Sequence, residues 1–199
     1  MAEDTHSTVS CLVAALAEGD REALDAVFPL VYGEVHALAH RQRRKWRGVH
    51  TLNTTALVHE AYLKLAGSER LGVDSRAHFM ALAATAIRQI LVNYATARRA
   101  RKRGGGVRRL PLTEQIAGPP AAHPDGSGGD EPDLLVALDA ALDQLAKVHA
   151  RQARVVECRF FGGMTIEETA VALAVSPRTV KRDWTVAQAW MHARMEGGA

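Results

Sequence analysis

The chain has 199 residues, of which 47% are hydrophobic and 24% are charged, and its formal net charge is +3. These values are ordinary for a globular protein of one large or two small domains, and they exclude a chain that is disordered throughout. No apolar run approaches the roughly 20 residues needed to cross a bilayer and no signal peptide is visible, so we expect no membrane insertion and a cytoplasmic location.

The first part of the chain has the periodicity of amphipathic helices. The pattern predicts one helix over Ser7 to Glu18 and a second from Arg21 to Leu38. Pro29 lies inside the second pattern and predicts a kink or a break there. The second helix continues into a basic tract, Arg41 to Gly48, which has five Lys or Arg around Trp46. This tryptophan either stacks on a nucleic-acid base or lies in the core.

The next helix is predicted over Asn53 to Leu65, where Thr54 or Thr55 can cap its start. Helical spacing predicts an inward stripe of four residues, Val58, Ala61, Tyr62 and Leu65. The outer or flanking positions are then Leu57, His59, Glu60, Leu63 and Lys64. Outward leucines beside charged residues suggest a protein-binding face, although single surface leucines are common.

A long helix is predicted from Ala77 to about Arg103. Its inner stripe is Phe79, Leu82, Ala83, Ala86, Ile90 and Ala97. Its outer side is predicted to show Arg88, Gln89, Asn93, Arg98 and Arg99. Five Lys or Arg lie between Arg98 and Arg103. Cations favour a helix C-terminus, but this number exceeds what the helix dipole needs, so we expect a polyanionic partner.

Residues 104–133 hold five of the seven prolines and several glycines, and they lack helical or strand periodicity. We interpret this stretch as a flexible linker between two domains, residues 1–103 and 134–199. Beyond it, leucines at helical spacing predict a helix from Leu134 to Leu145, and Ala150 to Phe161 is predicted as another. Gly162 and Gly163 end that second helix.

Two sequence signals for the start of a helix follow soon after this glycine pair. Thr165 and Glu168 form a T-x-x-E capping box that predicts a helix beginning at Ile166. Ser176 before Pro177 predicts a second helix after a tight turn. Val180, Trp184, Ala187 and Met191 form its apolar stripe. Its other side carries Arg178, Lys181, Arg182 and Thr185. This pattern is typical of a helix-turn-helix whose second helix enters the DNA major groove.

The whole chain is therefore predicted to be all-α, with two small helical domains, a flexible linker and a C-terminal helix-turn-helix. This order of parts resembles a bacterial sigma factor of the extracytoplasmic-function group, within the sigma-70 family. The resemblance covers nearly the whole chain. It is carried by ALVHEAYLKL, which is similar to the segment by which such factors bind polymerase, and by MTIEETAVALAVSPRTVKRDW, which is similar to their promoter-reading module. Leu52 to Tyr62 also matches the L-N-T-T-A-L-V-H-E-A-Y sequence of a sub-group.

The resemblance implies a function without enzymatic activity: binding core RNA polymerase, through its clamp helices and flap, and directing it to promoter DNA. The residues implied to bind polymerase are Leu57, His59, Glu60 and Leu63. Those implied at the minus-thirty-five element are Arg178, Thr179, Lys181 and Arg182. Those implied at the minus-ten element are Arg88, Asn93, Arg98 and Arg99. Such factors are commonly held by an anti-sigma factor.

The sequence departs from the family pattern in places. Ala56 stands where an acidic residue is usual, and His59 stands where a Gln is usual. Ala174 stands where the helix-turn-helix turn commonly has Gly, so this residue is expected to avoid a left-handed backbone. The loop from Gly67 to Arg76 contains no aromatic residue that could hold a flipped base.

Two alternatives belong to other classes of protein. A stand-alone helix-turn-helix regulator would not need both a polymerase-binding face and a second basic helix. A helical metalloenzyme could use His36 and His40, which are spaced i, i+4, but no third ligand lies at matching spacing. Cys11 and Cys158 also lack metal-ligand spacing, and we expect reduced, buried thiols. No metal and no cofactor is therefore predicted.

Overall fold

The computed structural model of the chain describes residues 15–16, 22–46, 52–68, 72–102 and 131–196. Within these ranges the chain forms α-helices and one π-helical segment, and it has no β-strand. The prediction of an all-α fold is confirmed. The predicted helix over Ser7 to Glu18 lies outside the described residues, except for Ala15 and Leu16, which are helical. Most of the predicted linker also lies outside them.

The first long helix, α1, spans Glu22–Lys45 and continues through Pro29. The break considered from the sequence therefore does not occur. A proline inside a helix removes one backbone hydrogen bond. Here the helix also buries Val27, Val31 and Val35 completely. Because tertiary packing of an apolar face supplies most of a helix's stability, this burial offsets the missing bond.

The second helix, α2, spans Thr54–Ala66. Its cap is Asn53, whose side chain accepts a hydrogen bond from the Ala56 N–H at 2.7 Å. The prediction that Thr54 or Thr55 caps the helix was wrong by one residue or two. Leu57 is fully buried, so its predicted outward position was also wrong. The buried face of α2 is wider than one stripe because the helix packs against both α1 and the third helix.

The third helix, α3, spans Arg76–Lys102, within one residue of its predicted bounds. Phe79, Ala83 and Ile90 are buried as expected, but Ile87 and Leu91 are buried as well. The reason is that α3 lies at the centre of the fold. It packs against α1 and α2 and also against the C-terminal half of the chain.

The C-terminal half begins with α4, Glu131–Val148, so the last three residues of the predicted linker belong to a helix. The next helix, α5, spans Ala150–Val156 and continues as a π-helical segment, Glu157–Phe161. Gly162 donates its N–H to the Glu157 carbonyl at 2.8 Å, and Gly163 then takes a φ of +65°. This change of hydrogen-bonding pattern ends the helix at the predicted glycine pair.

The last two helices begin where their caps predict. In α6, Ile166–Ala172, the Thr165 side chain accepts from the Glu168 N–H, and the Glu168 carboxylate accepts from the Thr165 N–H. In α7, Pro177–Glu196, the Ser176 hydroxyl accepts from the Thr179 N–H at 3.1 Å. Between them Ala174 has a φ of +52°, so the expectation that it avoids the left-handed region was wrong.

The two halves of the chain share one hydrophobic core. The largest cluster of buried residues contains side chains of α1 to α3 together with Leu135, Leu142 and Leu145 of α4 and Met191 of α7. Helix α3 packs most extensively on α4 and also contacts α6 and the π-helical segment. The described residues of the two predicted domains are thus in direct contact. Their division at residues 104–133 stays a prediction.

Candidate nucleic-acid and protein interfaces

The first two turns of α7 form an exposed basic surface. Arg178, Lys181 and Arg182 are exposed, and Thr179 is half-buried with its hydroxyl 2.9 Å from that of Ser176. The structure thus brings together the four residues that the sequence predicts at this surface. Guanidinium and ammonium groups at the start of a helix suit both phosphate oxygens and the acceptors of base edges.

The inner side of α7 is held by apolar packing and by one ion pair. Val180 is fully buried and clusters with Val155 and Ala170. Asp183 is only 2% exposed, and its carboxylate is bound by the Arg151 guanidinium, with Nε 2.6 Å from Oδ2. Sequence reasoning missed this pair. The signal was an acidic residue between Val180 and Ala187, at a position of the stripe that faces inward.

The residues predicted at the minus-ten element are divided between two environments. Asn93 is exposed, and Arg98 is half-buried. Arg88, however, is only 6% exposed, so its predicted position on the outer side of α3 was wrong. The side that was interpreted as outer is covered by α4, because the C-terminal half packs against it. Arg99 is half-buried on the same side, with Nε 3.2 Å from the Asp133 carboxylate.

Arg88 lies among three acidic side chains of the C-terminal half. It donates to the Asp139 carboxylate, and its second terminal nitrogen is 3.0 Å from the Glu157 carboxylate. Asp143 is farther away, at 3.9 Å. Burial raises the pKa of Asp139 and of Glu157, although Arg88 lowers both. Desolvation therefore outweighs the attraction, as is common for buried ion pairs.

The basic end of α1 also contacts the C-terminal half. The Gln42 amide donates to the Phe160 and Phe161 carbonyls, and the Lys45 ammonium lies 3.1 Å from the centre of the Phe160 ring. Burial lowers the pKa of Lys45. Trp46 is 4% exposed and belongs to the core. Of the two interpretations of this tryptophan, the core one agrees with the structure.

The residues predicted to bind polymerase are also divided. Leu63 is 53% exposed and His59 is exposed. Leu57 lies in the core instead. Glu60 is half-buried and accepts a hydrogen bond from the Tyr94 hydroxyl at 2.8 Å. The pKa of Tyr94 is raised to about 12, mainly by burial and next by this hydrogen bond. The accessible part of the predicted face is therefore His59 and Leu63.

An open groove of about 550 Å³ lies between α1 and α2, beside His59. Aromatic side chains form much of its lining: Phe28, Tyr32 and Tyr62, with the Phe28 and Tyr62 ring centres 4.9 Å apart. The Tyr62 hydroxyl donates to Asp25, which raises the pKa of Tyr62. The pattern of α1 or of α2 alone does not predict this groove, because the pairing of the two helices is not visible in either helix.

Three further features bear on other functions. Among the described residues, no group of three or more His, Cys, Asp or Glu could hold a metal ion. None of the described helices is long and apolar enough to cross a membrane. Cys158 is a free, buried thiol, and burial raises its pKa to about 12. Cys11 lies outside the described residues.

Comparison with known proteins identifies one family. No curated protein and no solved structure gives a significant match to the chain. A family model described as ECF sigma factor, in contrast, matches residues 6–197. This match includes both halves of the fold, with the groove of α1 and α2 and the basic surface of α7. The chain therefore belongs to the ECF sigma factor family, whose members bind RNA polymerase and promoter DNA and act in transcription initiation.

Proposed function

We propose that this chain binds core RNA polymerase through its N-terminal half and directs it to specific promoters through both halves. The observation that supports this most directly is the exposed basic start of α7 in a chain whose family acts at promoters. The chain itself performs no chemistry, and the polymerase supplies the catalysis. Promoter DNA and core polymerase are its partners, and an anti-sigma factor is the kind of inhibitor that the family commonly uses.

At the minus-thirty-five element, we assign base and phosphate contacts to Arg178, Thr179, Lys181 and Arg182. Each bidentate contact from an arginine to a base edge discriminates against the wrong base by about 1–3 kcal/mol. Contacts to phosphate add affinity without sequence discrimination. Each one steepens the slope of log affinity against log salt concentration by about one unit. The anchored inner side of α7, through Val180 and Asp183, would hold these side chains in register.

At the minus-ten element, we assign contacts to Asn93, Arg98, Arg99 and Arg88 on α3. Asn93 is accessible in the described conformation. Arg88 would need the C-terminal half to move away first, because it is buried against that half. The loop from Gly67 to Arg76 offers no aromatic side chain. Capture of an unpaired base would therefore rest on polar contacts.

For the polymerase contact, we assign His59 and Leu63 together with the aromatic groove beside them. A groove lined by Phe28, Tyr32 and Tyr62 suits an amphipathic helix that inserts apolar side chains, and we assign it to the polymerase clamp helices. Leu57 and Glu60 would act differently from the family expectation. Leu57 supports the fold from the core, and Glu60 ties α2 to Tyr94 of α3.

The test is co-elution with purified bacterial core RNA polymerase on size exclusion. We expect the wild-type chain to co-elute, and Leu63→Asp to weaken binding by at least tenfold, because hot-spot side chains contribute 2 kcal/mol or more, roughly. The matched control is Leu134→Asp, since Leu134 is an exposed leucine of similar accessibility on α4. Absence of co-elution by folded wild-type chain would instead favour a stand-alone DNA-binding regulator.

A further inference from the structure

The face of α3 that carries Arg88 and Arg99 is covered by acidic side chains of α4. These two arginines are eleven residues apart, which is close to three full helical turns, so they lie on the same side of α3. Arg99 pairs with Asp133 at the start of α4, and Arg88 pairs with Asp139, further along the helix. The two helices therefore run antiparallel with acidic groups placed opposite basic ones.

We propose that α4 is an internal competitor for nucleic acid, in which Asp133 and Asp139 occupy the guanidinium groups that would otherwise bind DNA phosphates. This inference rests on the proposed function, because it takes Arg88 and Arg99 as DNA-binding residues. In the described conformation, which we call the closed form, the buried Arg88 guanidinium cannot contact a phosphate without losing its carboxylates. The half-exposed Arg99 guanidinium is held toward α4 by Asp133 through its Nε. Binding of DNA to this face and packing of α4 on it are then mutually exclusive.

The chemistry of Arg88 shows why the closed form can open. A guanidinium has five N–H donors, and here the Nε of Arg88 is buried without a hydrogen-bond partner among the described residues. An unmet buried donor is unfavourable, and so is the desolvation of Asp139 and Glu157. On opening, water or DNA phosphate can satisfy every donor of Arg88, and both carboxylates regain their hydration.

Apolar packing holds the closed form together. Ile87 and Leu91 of α3 are in the same core cluster as Leu135 and Leu142 of α4. Burial raises the pKa of both carboxylates although Arg88 lowers it, so the ion pairs offset only part of the cost of desolvation. The carboxylates nevertheless keep Arg88 in the closed form and away from DNA. Removing one of them leaves a buried cation short of a partner, which is unfavourable. Loss of Asp139 should therefore shift the chain toward the open form.

The test measures DNA binding by the full chain without polymerase. The probe is a short, fluorescein-labelled oligothymidylate, and the readout is fluorescence anisotropy. We expect Asp139→Asn to bind the probe about tenfold more tightly than wild type, within the range of about 5- to 150-fold that coupled sites show. Asp133→Asn should give a smaller gain in the same direction, because Asp133 is half exposed.

Two controls separate release of Arg88 from a general change of charge. Glu167→Gln removes the same charge at an exposed position of α6, and it should change the affinity by less than about twofold. Adding Arg88→Gln to Asp139→Asn should abolish most of the gain. Equal gains in Asp139→Asn, Asp133→Asn and Glu167→Gln would overturn the proposal. So would no gain in any of them, or a gain that survives Arg88→Gln.

Opening is measured separately by small-angle X-ray scattering, with far-UV circular dichroism to verify helix content. We expect a larger radius of gyration for Asp139→Asn at unchanged helicity. Expansion without tighter DNA binding would overturn the assignment of this face to DNA. If Asp139→Asn loses helicity, the more exposed Asp133→Asn decides the outcome. Since none of these assays contains polymerase, failure here is distinguishable from failure of the co-elution that tests the proposed function.

Discussion

The Arg151 guanidinium donates two hydrogen bonds to the Asp183 carboxylate, with Nε 2.6 Å from Oδ2 and a terminal nitrogen 3.4 Å from Oδ1. Arg151 is half exposed at the start of α5, whereas Asp183 is almost completely buried on the inner side of α7. Such a two-point contact fixes the rotation of α7 as well as its distance from α5. The ion pair of Arg151 and Asp183 therefore positions the exposed basic surface of α7, although neither residue is part of that surface.

Replacing Arg151 should destabilise the chain only while Asp183 stays charged. In Arg151→Met, the nearest cation to the buried carboxylate is Arg182, whose Nε is 3.7 Å away. We expect the melting temperature to fall by about 5 °C, which a modest loss of stability produces in a chain of this size. In an Asp183→Asn background the same substitution should have little effect. Equal falls in both backgrounds would contradict the coupling.

Charge reversal at the start of α7 should separate promoter selection from polymerase binding. Arg178→Glu and Arg182→Glu should each reduce promoter-specific transcription by about 10- to 100-fold, because each loses a contact of roughly 1–3 kcal/mol. Co-elution with core polymerase should be unchanged. Arg194→Glu, near the other end of α7, is the matched control. If a folded variant loses both activities together, the assigned division of labour is wrong.

Leu57 and Leu63 should behave differently although both lie on α2. Leu57→Ala should lower the free energy of unfolding by about 2–5 kcal/mol, because it removes a fully buried side chain and leaves a cavity. Leu63→Ala should change it by less than about 0.5 kcal/mol, since Leu63 is half exposed. Urea denaturation measures both. Similar stability of the two variants would place Leu57 outside the core.

The turn before α7 should tolerate glycine better than alanine. Ala174 has a φ of +52°, where a side chain with a Cβ is strained and glycine is not. Ala174→Gly should therefore raise the free energy of unfolding by about 0.5–1 kcal/mol. Ala189→Gly, at an exposed position inside α7, should lower it by about 1 kcal/mol. A loss of stability in both variants would argue against the left-handed turn.

Cys158 should be unreactive in the folded chain at pH 8. Its pKa is raised from 9.0 to about 12, which lowers the thiolate fraction by about 10³-fold. In a Cys11→Ser background, reaction with a disulfide reagent should be slow until denaturant is added. Because the unfolded thiol ionises first, this group should also make stability fall as pH rises above about 9. Fast labelling of the folded chain would contradict its burial.

Much of the local structure is determined by the sequence, because it depends on residues three or four positions apart. The capping box of Thr165 and Glu168 and the cap at Ser176 were predicted in place, as were the inward Val180 and the exposed Arg178. Each rests on chemistry within one helical turn. The same locality explains how nearly the whole extent of α3 could be predicted from its apolar stripe.

The tertiary structure alone decided which faces of these helices are covered. Periodicity predicts one buried stripe, but α3 packs on both halves of the chain, so Arg88 is buried on a face that resembled a solvent face. Leu57 is buried in the same way, because α2 packs on both α1 and α3. Asp183 is a carboxylate on the inward side of α7, and its ion partner comes from α5. Burial depends on partners far away in sequence, such as Asp139 for Arg88 and Arg151 for Asp183. No pattern within one helix encodes those partners, because each helix presents only its own half of the contact.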